Sequence, residues 1–253
     1  MEKNFFERKD DRRPMPIIDD NVSIGRLWGL FIFPIGVFTC VVLVSKYYPM
    51  NSVWLQFVVL ALVPTIVLLS SYRLISGQRP WALFGRVTGK EWRHTLMMFV
   101  LQVVYAVVMQ SVFRALNVTT AKNPAGIGLN GEHRWSVFFQ QAFNDLFELM
   151  NEEFLGIFIF LAFAAVLMKQ FHFRRNVAIW GSLAVSIIVF GMVHFAVYQW
   201  NLIQMLVLIG VTRLFLTGAY LYSKSIWTSF AMHYTFDTMF FLMLAGATWF
   251  RHL

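Results

Sequence analysis

Charge is scarce in this sequence. Asp, Glu, Lys and Arg make up 13% of its 253 residues, against roughly 25% in a soluble domain. Cysteine is nearly absent: the single thiol, Cys40, excludes an intrachain disulfide, and its place inside an apolar run reads as packing. There is no H-E-x-x-H, which removes the usual helical zinc-protease signature. No A-x-A site follows the first apolar run, so that run is expected to be a retained span and not a signal peptide. No internal repeat or low-complexity tract is evident.

What is present is apolar. Hydrophobic residues make up 58% of the chain and aromatics 17%, and the mean hydropathy is +0.60. Several segments reach the ~20 apolar residues that cross a bilayer core. The expected fold is all-α, a polytopic membrane bundle of about seven transmembrane helices near 27–45, 53–72, 95–113, 138–168, 177–198, 202–222 and 226–249. The first part of the fourth, "SVFFQQAFNDLFELM", has the mixed composition of an interfacial amphipathic helix.

Residues 1–23 mix six acids, five bases and two prolines, and are expected to form a solvated tail. With the N-terminus in the cytoplasm, the inside segments hold fifteen Lys and Arg; the outside ones hold five, namely Lys46, Arg114, Lys122, Arg134 and Arg251. That bias predicts a cytoplasmic N-terminus. It also explains the net charge of +8 as a topology signal, with no nucleic-acid partner required. The expected organisation is a tail over 1–23, N-terminal spans and loops over 24–134, and a functional core over 135–250.

Few ionisable residues remain at membrane depth: Glu152, Glu153, His194, Arg213, His233 and Asp237. Such groups are costly in hydrocarbon and by default mark function. "FGMVHF" puts Phe190 and His194 on one helical face, and "AMHYTFD" does the same for His233 and Asp237. Glu152 shares a face with Asp145 and Glu148, a polar stripe able to lead water toward it. Taken singly, each pattern is as well explained by interfacial charge, a snorkelling histidine or a structural helix–helix hydrogen bond. Taken together they supply a base, two imidazoles and a carboxylate to orient one of them, which are the parts of a hydrolytic site.

"NEEFLGIF", "SIIVFGMVHF" and "FLTGAYLYSKSIWTSFAMHYTFD" resemble, in order, the three motifs of the CPBP intramembrane proteases: E-E-x-x-x-R, F-x-x-x-H and H-x-x-x-N/D. That family includes type II CAAX prenyl endopeptidases and bacterial Abi and bacteriocin-immunity relatives. The resemblance covers about 150–240. It implies an intramembrane endopeptidase in a bacterial cell membrane, acting on a membrane-bound or amphipathic peptide. It implies catalytic roles for Glu152, Glu153, His194, His233 and Asp237. Glu152 and His194 would activate water, with His233 and Asp237 at the oxyanion. One position departs: the motif arginine is Ile157, and Arg213 is the expected source of the missing charge, with Phe190 in support.

Two points stay open at this level. Glu152, His194, His233 and Asp237 are all reasonable ligands for a divalent metal such as zinc, so the cofactor is either none or such an ion. Straight helices would also put His194 ~25 Å and His233 ~10 Å from the cytoplasmic edge, at ~1.5 Å per residue. A bend or a short span must close that gap. The competing readings are a non-catalytic immunity or regulatory protein that keeps the fold, and a transporter with a carboxylate relay.

Overall fold

The computed structural model describes residues 3–48, 50, 52–123, 126–129 and 131–247. The last two residues of the final expected span (248 and 249), the end of the expected core and Arg251 lie outside the described residues. The chain is an all-α membrane bundle, and its one β contact among the described residues is an isolated bridge between Phe84 and Ser225. α1 spans Ile24–Tyr47. A second rod begins with the short α2 (Val53–Gln56), passes through a π turn (Phe57–Leu62) and ends as α3 (Val63–Ser76). α4 is Gly89–Ala115, α5 Arg134–Lys169 and α6 Arg175–Val193. A π segment (Gln204–Gly210) leads into α7 (Thr212–Ser223), and α8 covers Ile226–Ala247. Six of these rods are long and apolar enough to cross a membrane. The seventh, α8, has the length at 22 residues but carries His233 and Asp237.

Local chemistry sets the ends. The Glu91 carboxylate accepts from the Thr88 backbone N–H at 2.9 Å, closing the first turn of α4. Gly77, at φ 75°, stops α3 in the left-handed conformation open to glycine. α6 ends at Val193, shorter than the span expected to reach 198, and the turns that follow place Gln199 and Trp200 at φ 52° and 60°. Two close backbone approaches lock α6 against the π segment. A Cβ on Gly191 would lie 2.5 Å from the Met205 carbonyl oxygen, and one on Gly210 would lie 2.6 Å from that of Ile187. Only glycine permits both.

α5 is the axis, packing chiefly on α1, α6 and α8. It is one continuous helix of 36 residues, ~54 Å at ~1.5 Å each. Its first half, expected as an amphipathic interfacial helix, is continuous with the rest and has one packed side. Phe138 packs with Leu129, Phe241 and Ala245, and the Tyr234 hydroxyl donates to the Ala142 carbonyl at 3.1 Å. α8 covers only that side: Trp135, Phe139, Phe143 and Leu146 on the same stretch remain exposed, an apolar face left open to lipid.

The expectation of a solvated N-terminal tail is also corrected. Met15, Ile17, Ile18 and Val22 are buried in the same core as Leu27, Leu68 and Tyr72. Ile17 sits at φ 67°, an unusual conformation for a β-branched residue. Asp19 and Asp20 fix this turn by accepting from the Met15 and Ile17 backbone N–H groups at 2.7 and 2.8 Å. Several of the acids and bases that suggested solvation are spent on ion pairs, chiefly with α4 and α6. Arg175 bridges Glu7 (2.6 Å) and Asp19 (2.7 Å), Arg8 meets Glu91 (2.6 Å), and Arg13 meets Asp11 (2.7 Å). The segment fills a recess beside the short α7: Arg13 donates to the Ser223 carbonyl at 2.9 Å, and Phe6 lies against Gly218.

Candidate active site

The recess also closes the depth gap between the two histidines. The loop before α4 dips so far that the Phe84 ring lies 6.1 Å from that of Phe154, one residue beyond Glu153 on α5. Phe84 bridges to Ser225, so α8 starts deep in the bundle and seven residues carry it to His233. His194, capping the shortened α6, arrives at the same level.

Glu152 and Glu153 are neighbours on α5 but face different surroundings. The Glu153 carboxylate is fully buried, with 0% of its side chain exposed, as is Arg213. The guanidinium donates to both carboxylate oxygens, at 2.7 and 3.0 Å, the fork-on-fork geometry that suits arginine to buried carboxylates. The cation missing at Ile157 is thus supplied from α7, and Ile157 is buried in the apolar core. Arg213 also lies over the Phe190 ring, its Cζ 5.0 Å from the centroid. A third partner completes the group: His233 Nδ1–H donates to Glu153 Oε1 at 2.9 Å. The orienting role expected of Asp237 therefore falls to Glu153. Asp237 makes no hydrogen bond among the described residues, although it lies within electrostatic reach of Glu152, His194 and His233.

Glu152 is the freer acid, with 18% of its side chain exposed. One oxygen lies 3.7 Å from His194 Nε2 and the other 3.7 Å from His233 Nε2. Both gaps exceed a direct hydrogen bond, so the three groups stand close enough to share a water without being locked to one another. The far nitrogen of each ring is already committed. His194 Nδ1–H donates to the Phe190 carbonyl at 2.7 Å and His233 Nδ1–H to Glu153, so both Nε2 atoms are turned toward Glu152. The metal alternative fits less well. Among the described residues no three His, Cys, Asp or Glu side chains converge as a metal ion requires.

Sequence reasoning missed the glycine that makes room for the ion pair. A Cβ on Gly156 would lie 2.5 Å from Arg213 Cζ, so the guanidinium reaches Glu153 only because residue 156 has no side chain. A glycine three residues past an acid, far from either helix end, was the available signal. Gly191 was missed as a packing residue for the same reason, since its partner is a backbone oxygen on another element.

A membrane-embedded bundle with two imidazoles trained on one carboxylate, and a second carboxylate neutralised by arginine, has the layout of a buried general-base site. Residues 134–239, less than half of the chain, match the sequence model of the family described as Type II CAAX prenyl endopeptidase Rce1-like. The matched region contains α5 to the middle of α8, and with them every site residue above. No curated protein matches the chain, and no solved structure does.

Proposed function

We propose that this protein is an intramembrane endopeptidase that cleaves a membrane-bound or amphipathic peptide, with its N-terminus in the cytoplasm of a bacterial cell. One observation carries the reading: the Glu152 carboxylate is held between the Nε2 atoms of two histidines whose other ring nitrogens are fixed. A water bridging Glu152 and His194 gives up a proton to the Glu152 carboxylate as its oxygen bonds to the scissile carbonyl carbon. His233, when protonated at Nε2, donates to the oxyanion, and the Glu153–Arg213 pair holds the ring for that task. The C–N bond then breaks, and the proton taken from water passes to the leaving nitrogen. An ionised Asp237 would repel the oxyanion, so no such role is given to it.

Positioned proton transfer contributes roughly 10²–10⁴-fold. Glu152→Gln and His194→Ala should each lower cleavage of a membrane-associated peptide by about that factor, measured with purified protein and with folding checked by thermal unfolding. Unchanged cleavage in both variants would sink the proposal. Absence of cleavage by the unaltered protein across a broad peptide set would favour the non-catalytic immunity or regulatory reading.

A further inference from the structure

The described site holds more carboxyl groups than the cations facing them can pair. Asp145, Glu148 and Glu152 lie at i, i+3 and i+7 on α5, and Asp237 approaches from α8 within electrostatic reach of Asp145 and Glu152. Arg213 is consumed by Glu153. Carboxylates grouped at low dielectric repel strongly, and the repulsion is relieved either by protons or by an incoming counter-charge. Asp145 is 3% exposed; one of its oxygens accepts from Gln141 Nε2 at 2.7 Å, while the other, Oδ2, is buried with no partner.

A second observation comes from a separate element, the turn after α6. Tyr198 is 7% exposed, and its ring lies 6.2 Å from that of His194. Its hydroxyl makes no hydrogen bond among the described residues, and it is within electrostatic reach of Asp237 and Glu152. A buried aromatic ring with an unused hydroxyl beside a column of acids presents the groups that bind an organic cation: a π face, an oxygen acceptor and carboxylates. Three of the acids are strung along α5 and the fourth comes from α8, and no three of them form a metal site. That spacing fits an ammonium or guanidinium on a long side chain better than a bare ion.

We propose that Asp145, Glu148, Asp237 and Tyr198 form a subsite that takes a positively charged side chain of the substrate peptide and so sets the cleavage register beside Glu152. The inference rests on the endopeptidase reading, and the test separates the two. Glu152→Gln protein in lipid nanodiscs is titrated with fluorescent amphipathic peptides in which a single lysine is walked along the sequence, each paired with its glutamine counterpart. At one position the lysine peptide should bind at least about tenfold more tightly. Asp145→Asn, Glu148→Gln and Tyr198→Phe, each checked by thermal unfolding, should bring that ratio to within about twofold. Equal binding of every lysine–glutamine pair, or a preference that survives all three substitutions, overturns the subsite. Cleavage of the same peptides by protein with Glu152 intact is scored separately. Cleavage without lysine preference removes the subsite and leaves the hydrolytic reading standing; lysine preference without cleavage does the reverse.

Discussion

Carboxylate–guanidinium pairs occur in two regions of this molecule. In the middle of α5, Glu153 and Arg213 are both fully buried. At the end of the bundle where the N-terminal segment lies, Arg175 joins Glu7 and Asp19, and Arg13 joins Asp11, with side-chain exposures from 2% to 36%. The contacts are of the same kind and nearly the same length. The difference is what surrounds them. A buried pair that loses one partner leaves a bare charge at low dielectric, whereas a pair near the surface is rescued by water and weakened by salt. The inner pair therefore fixes the geometry of a site, and the outer ones fasten a segment whose apolar residues also hold it.

The comparison breaks most sharply at Arg213. Arg213→Ala should destabilise the protein by about 3–5 kcal/mol, the cost of stranding a buried charge, and should abolish cleavage, as read by chemical unfolding and peptide turnover. Gly156→Ala tests the same pair without removing either charge. The added methyl must push the guanidinium off Glu153, so cleavage should fall at least tenfold with a smaller loss of stability. In the outer region, Arg13→Ala, at the most exposed of the outer arginines, should cost about 1.5–3 kcal/mol, the scale of a hydrogen bond to a charged group, with cleavage retained and the N-terminal segment more open to trypsin.

The smallest effect is a pH dependence. Burial alone would raise the Asp11 carboxyl, but hydrogen bonds from Arg13 and the charges of Lys224 and Arg13 hold it at about 2, below the ordinary 3.8. A carboxyl depressed by folding stabilises the fold fully above its unfolded value, and that contribution disappears as pH falls through the folded one. The segment should therefore loosen between about pH 4 and pH 2. A fluorophore at Phe5→Cys, with Cys40→Ser to leave one thiol, should report rising mobility in that window; no change there would show that Asp11 does not fasten the segment.

The spans and the five polar site residues were legible in the sequence because hydrocarbon makes both signals strong: lipid-length apolar runs stand out, and a charge within one is conspicuous. The origin of Arg213's partner was legible too, since a buried arginine and an uncompensated acid require each other. What could not be read was contact between distant segments. The N-terminal residues have a solvated composition, and only the recess beside α7 shows why Met15 and Ile17 turn inward. Asp237 looked like the orienting group because it sits one turn from His233 on its own helix, but Glu153 reaches the same nitrogen across helices. Gly156 carries no side chain to draw attention, and its importance lies wholly in the space that Arg213 occupies.

The π segment before α7 has a consequence for how the site is phased. Each such wide turn holds an extra residue relative to an α-helix, and one residue corresponds to ~100° of rotation about a helix of 3.6 residues per turn. Gln204–Gly210 thus acts as an angular spacer that aims Arg213, three residues further on, at α5. Residue count in that stretch matters as well as the glycine at its end: removing a single residue would turn the guanidinium toward a neighbouring face and leave Glu153 without its cation, with every site residue still present in the sequence.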